Sequence, residues 1–171
     1  MIETGSLPLS KEEIFHSLSL SSYEYLSPIT PRSGEKVRFW QDSPAHVGPY
    51  RHALDIIIPD PRINSLPVLA PQDGRIIALV QDNTEYGDSQ DYLFKLNYVT
   101  VQVGKSEFYE LCHIDKESCK YEIGDTVKKG NIIAKTGVNG WMTDVRHLHF
   151  MVGKWLPNNQ FQSLKIRFRQ K

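Results

Sequence analysis

The chain predicts a mainly β protein, an antiparallel sheet assembly or sandwich preceded by a short helical extension. Three observations support that class. From Arg51 onward, short runs of Val, Ile, Leu, Tyr and Phe alternate with Gly, Pro, Asn and Asp turn signals. No long segment carries the 3.6-residue period of an amphipathic helix. The 171 residues, 40% of them hydrophobic, suffice for one domain with a real core and are too few for two comfortable ones.

In chain order, Ser10 and Glu13 form a capping-box pattern opening a helix whose apolar face is Ile14, Phe15 and Leu18. "SPITPRSG" breaks the chain after it. The expected organisation is therefore an extension over residues 1–35 that packs on the core, and a main domain over 36–171. "KVRFWQD" reads as the first strand. "HALDIII", "LPVLAP", "GRIIALVQD", "LNYVTVQVG", "EFYELCHI", "NIIAKTG" and "HLHFMVG" follow, each bounded by turn residues. Residues 83–92, "NTEYGDSQDY", read as a long exposed loop.

Composition excludes some roles. Lysine plus arginine (20) balances aspartate plus glutamate (20), which argues against electrostatic capture of nucleic acid or anionic membrane. The basic tail "KIRFRQK" reads as a solvated end. No stretch approaches the ~20 apolar residues of a membrane-spanning helix. The N-terminus lacks the basic-then-apolar pattern of a signal peptide. The expectation is a cytoplasmic protein as the chain stands, or a periplasmic or extracellular one if a leader was trimmed. Cys112 and Cys119 make no disulfide framework and read as reduced thiols.

The chemistry concentrates in histidines. On a strand, residues i and i+2 share a face, so His147 and His149 project together. Buried imidazoles need partners for both ring nitrogens, which a metal or a hydrogen-bonded core could supply. Asp55 lies in the apolar run "HALDIIIP", where a carboxylate is costly unless paired or metal-bound. His113 closes another apolar strand. An aspartate and histidines dispersed over separate strands offer the N and O donors that zinc accepts.

Taken in order, "HALD", "LPVLAPQDGRI", "NYVTVQ", "ELCHI", "GDTVKKGNIIAKTG" and "HLHF" resemble the landmark segments of lysostaphin/LytM-type zinc metallopeptidases. The resemblance covers roughly residues 46–153. It implies the duplicated hybrid motif fold and one Zn2+ per chain, with His149 and Asp55 as ligands. His113 and His147 would be a non-ligand catalytic pair, one activating water and the other steadying the developing oxyanion. The chain departs from the family at the third ligand. Arg51, separated from Asp55 by three residues, occupies the slot where that family carries histidine. His52 is three residues from Asp55, and strand alternation turns it to the opposite face unless a bulge intervenes. His46, nine residues upstream, can return through "VGPY". His46 is therefore preferred, with His52 the alternative. Tyr109 and Trp141 are candidates to line a groove or to pack in the core.

The resemblance implies a zinc metalloendopeptidase cleaving amide bonds, with a peptide or peptidoglycan-derived substrate. Two other readings stay open at this level. One is a catalytically inactive LytM-like binding module. The other is a hybrid-motif carrier or phosphotransfer domain, which would leave Asp55 and "HLHF" unexplained.

Overall fold

The computed structural model describes residues 19–30, 38–58, 65–143 and 145–169. The capping-box helix lies outside the described residues. The strands are β1 (Leu20–Tyr25), β2 (Arg38–Trp40), β3 (Leu54–Ile57), β4 (Pro67–Leu69), β5 (Gly74–Val80), β6 (Tyr86–Gly87) and β7 (Tyr98–Val103). β8 (Glu107–Cys112), β9 (Thr126–Val127), β10 (Ile132–Lys135), β11 (Gly140–Trp141), β12 (His147–Trp155), β13 (Phe161–Ser163) and β14 (Lys165–Phe168) complete them. The main sheet runs β2-β3-β12-β8-β7-β5-β9 with antiparallel neighbours, and β13 pairs the far end of β12. The protein is mainly β, as its patterning predicts.

Alternation along the central strands gives the sheet two different faces. One carries Val99, Val101, Val103, Tyr109, Leu111, Leu148, Phe150 and Val152, all buried. They pack with Tyr25, Val68, Ala70, Ile133, Ala134 and Leu164 from the segments that cover the sheet. Tyr25 meets Phe150 edge-on, with ring centroids 6.4 Å apart. Fully burying one such large apolar side chain stabilises by about 1.5–3 kcal/mol, so these few rings fix how the layers stack. The opposite face of β12 presents His147, His149 and Met151.

Two corrections arise at the edges. The C-terminal "KIRF" is not a solvated end: β14 pairs in parallel with β1, and Ile166 and Phe168 pack against the core. Its partner is remote in sequence; Arg167 donates its backbone N–H to Ser21 Oγ across 146 residues. Residues 20–25 of the expected helical extension are likewise strand. Glu107, only 2% exposed, anchors them by accepting hydrogen bonds from Ser22 N (2.6 Å) and Tyr25 Oη (3.0 Å). Within 83–92, Tyr86–Gly87 pairs with Gly140–Trp141, so the segment is exposed at Tyr86 yet tied down. Among the described residues no helix is long and apolar enough to cross a membrane.

Candidate active site

Sheet register assembles the first part of the site. His149 on β12 is the direct cross-strand partner of Asp55 on β3, a relation that brings side chains within contact. His149 Nδ1 lies 2.9 Å from Asp55 Oδ1. His46 joins from the preceding loop, its Nε2 3.1 Å from Asp55 Oδ1 and 3.3 Å from His149 Nδ1. The return of the chain depends on Gly48, whose φ of +55 suits a residue without Cβ, and on the 3-10 turn Gly48–Tyr50 that contains Pro49.

These atoms suit a cation. His46 Nδ1 lies 2.7 Å from the carbonyl oxygen of Gln41, which can only accept, so Nδ1 carries the proton. A neutral His46 therefore turns the lone pair of Nε2 toward a carboxylate, an arrangement that a cation or a shared proton between them relieves. Burial opposes protonation of His46, but its hydrogen bond with Asp55 prevails and raises its pKa. Burial likewise works to raise the Asp55 pKa, and the hydrogen bonds from His149 and His46 outweigh it, holding the carboxyl well below the usual range. Asp55 is 2% exposed, and imidazoles are its only ion-pair partners among the described residues. Zinc fits the same triangle. Donors at 2.0–2.1 Å on a tetrahedron stand about 3.3–3.4 Å from one another, close to the spacings here. The two imidazoles and one carboxylate are also a donor set zinc accepts.

His147 and His113 stand beside this cluster and outside it. Their ring centroids are 4.7 Å apart, edge to face. His147 donates Nδ1–H to the Val145 carbonyl (2.9 Å) and places Nε2 3.8 Å from Asp55 Oδ1. His113 donates Nδ1–H to the Asn139 carbonyl at 2.7 Å. Both therefore keep Nε2 as a lone-pair acceptor when neutral. Burial, with the neighbouring His147 reinforcing it, pushes the His113 pKa down to about 3. Burial also lowers that of His147, against the opposing pull of Asp55. Near pH 7 the two rings are neutral bases. A cleft of about 150 Å³ opens over them, walled by Trp40, Trp141, Met142 and Thr143.

The remaining residues singled out from the sequence fall elsewhere. His52 sits in the turn before β3, where its backbone N–H donates to Ser163 Oγ (3.0 Å). Its Nδ1 is buried without a hydrogen-bond partner, and it does not join the cluster. Tyr109 is core and fully buried, while Trp141 lines the cleft. Cys112 and Cys119 are buried free thiols, and burial raises the pKa of each. Sequence reasoning passed over Asn97 and Asn139, which surround His113. The available signal was confined to Asn97, directly before the apolar run of β7, whereas Asn139 lies in a turn sequence, "TGVNG", that reads as a loop.

A fold that sets two imidazoles and a carboxylate around one point, with two neutral imidazoles alongside, defines a metallopeptidase-type site. The sequence profile of peptidase family M23 matches residues 52–162, and the chain belongs to that family. His46 lies outside the matched stretch. No curated protein sequence matches the chain. Among solved structures, a zinc-containing peptidase from Vibrio cholerae is similar at 18% identity, with a TM-score of 0.54, over 84% of this chain and 40% of that one. A candidate M23 peptidase from Pseudomonas aeruginosa is similar at 20% identity and a TM-score of 0.55, over 85% and 49%. Lysostaphin, from Staphylococcus simulans, is similar at 20% identity and a TM-score of 0.50, over 83% and 52%. These likenesses share the fold. The chain spans about half the length of these relatives or less.

Proposed function

We propose that this chain is a zinc-dependent metalloendopeptidase that hydrolyses amide bonds of peptides, with peptidoglycan cross-links or stem peptides as the substrate class. The observation that carries this reading is the buried His46–Asp55–His149 triangle, whose ligand atoms converge on one point where a cation fits. His46 Nε2, Asp55 Oδ1 and His149 Nδ1 would hold the ion. When bound, zinc supplies a Lewis acid that polarises a carbonyl and makes water more acidic. The chain's own residues then handle protons. His113 and His147, neutral at their Nε2 atoms, are placed to accept a proton from the attacking water and to return it to the departing amine. Whichever ring is protonated at that stage can donate a hydrogen bond to the negative charge that develops on the carbonyl oxygen. Trp40 and Trp141 wall the cleft beside these groups.

The substrate class rests on the resemblance to lysostaphin/LytM-type enzymes and on family membership. The unit responsible corresponds to residues 36–171, with the preceding residues as an extension. Elemental analysis of the purified chain, combined with hydrolysis of oligoglycine and of cross-linked stem peptides, tests the proposal. About one zinc per chain, and cleavage abolished by a chelator and restored by zinc, is the expected result. A chain without stoichiometric zinc and without chelator-sensitive cleavage would overturn it.

A further inference from the structure

The end of β8 breaks the alternation of its strand. Cys112 is the register partner of His149, so its side chain stands on the site face. Alternation should then send His113 toward the core face. His113 instead has a φ of 61, in the left-handed region that a residue with a side chain adopts only at a cost. This backbone reversal accompanies a ring that lies against His147 and lines the cleft.

Every polar group that fixes this reversal is supplied by a short list of neighbours. The His113 backbone N–H donates to the Asn97 carbonyl (2.9 Å), and the His113 carbonyl accepts from Gly137 N (2.7 Å). Its ring Nδ1 donates to the Asn139 carbonyl (2.7 Å). Gly137 can approach because it lacks a Cβ, which would stand 2.5 Å from Asp115 Cα. Asn97 and Asn139 are in turn locked together. Asn97 N donates to Asn139 Oδ1 (2.8 Å), and both side-chain amides donate to the Ile114 carbonyl, Asn139 at 2.7 Å and Asn97 at 3.3 Å. Asn97 Nδ2 also donates to the Asn83 carbonyl at 2.9 Å. The two asparagines are 0% and 1% exposed. Buried amides are unfavourable unless their hydrogen bonds are made. Here both amides meet on the carbonyl of Ile114, the residue after His113, while the backbone carbonyls of the same two asparagines accept from His113 itself.

We propose that Asn139, backed by Asn97, is a positioning residue for His113: its amide side chain clamps the turn so that its own carbonyl receives the Nδ1 proton of His113. The clamp fixes the Nδ1–H tautomer and leaves the Nε2 lone pair on the ring's other side. It also stabilises the left-handed backbone that holds the ring against His147. The functional consequence rests on the metallopeptidase reading of the cleft, whereas the tautomer does not.

Long-range proton–nitrogen NMR of the imidazoles in the metal-free protein at neutral pH reads the tautomer directly. The wild-type chain should show His113 with the proton on Nδ1, and Asn139→Ala should show mixed tautomers. In the zinc-loaded protein, Asn139→Ala should lower kcat about 10–100-fold, the usual scale for an outer-sphere partner, with zinc content and KM within twofold of wild type. Should Asn139→Ala not fold, Asn139→Asp takes its place, since it keeps the acceptor for Asn97 N and loses the donor to Ile114. It should give the same two changes, smaller in size. An Nε2–H tautomer in the wild-type chain overturns the proposal, as does a folded variant with wild-type tautomer and kcat. If the wild-type chain binds no zinc and cleaves nothing, the metallopeptidase reading fails, and the tautomer comparison still decides the role of Asn139.

Discussion

Replacing His46 by alanine removes the one donor of the cluster that the sheet does not carry, and its effect can be sized in advance. Nε2 of His46 stands 3.1 Å from Asp55 Oδ1 and 3.3 Å from His149 Nδ1, so its loss leaves an ion two protein ligands. A ligand that binds only the native state stabilises by RT ln(1 + [L]/Kd), about 2.7 kcal/mol at a hundred times Kd. For a chain of this size each kcal/mol moves Tm by about 2–4 °C, so zinc at that concentration should raise the wild-type Tm by about 5–11 °C. If losing one ligand weakens binding a hundredfold, the same zinc sits at Kd. Only about 0.4 kcal/mol then remains, a shift of about 1 °C. The assay is thermal unfolding with and without zinc, compared as a difference, because His46→Ala also takes a hydrogen bond from Asp55 in the metal-free protein. His52→Ala is the matched control: it removes a ring whose Nδ1 has no partner and should keep the full zinc-dependent shift. A full shift in His46→Ala, or its loss in His52→Ala, refutes the assignment of the third ligand.

Alanine at His113 or His147 should retain stoichiometric zinc and reduce hydrolysis by at least ~10²-fold, the scale of a positioned acid or base; metal loss in either variant would mean that ligand and catalyst are exchanged. His149→Ala should abolish stoichiometric zinc in a chain that keeps its β-type circular dichroism, and full zinc retention there would count against the cluster. The metal-free protein should weaken in acid through His113, because its pKa falls from 6.5 in the unfolded chain to about 3 in the native one. The unfolded state binds the proton first, so this contribution is complete above about pH 6.5 and is lost as pH falls toward 3. At pH 4 that loss amounts to about 3 kcal/mol, and urea titrations of wild type and His113→Gln at pH 7 and pH 4 should differ accordingly; equal pH slopes would contradict it. Tyr25→Phe strips a donor from buried Glu107 and should cost about 1–3 kcal/mol, read from the denaturant midpoint; an unchanged midpoint would show that the β1 anchor is energetically idle.

The amino-acid sequence by itself determined the β class, because alternation and turn residues act within a few positions of one another. The runs containing Leu54–Ile57, Tyr98–Val103, Glu107–Cys112 and His147–Trp155 are strands for that reason. The same local rule placed His147 and His149 on one face and made Asp55 conspicuous in an apolar run. It could not pair His149 with Asp55, since register is set by how whole strands pack. Gly48 and Pro49 favoured a turn that returns His46, but the return itself is decided by where the loop meets the sheet. β14 escaped notice because its partner β1 is at the other end of the chain, and a basic tail carries no local sign of a remote strand. The placement of His113 shows the limit most sharply. Alternation puts Cys112 on the site face and His113 off it, and only contacts with Asn97, Gly137 and Asn139, distant in sequence, hold the backbone in the left-handed conformation seen there. Periodicity is a property of short segments, whereas the lone pairs of this site converge through contacts that exist only once the chain has folded.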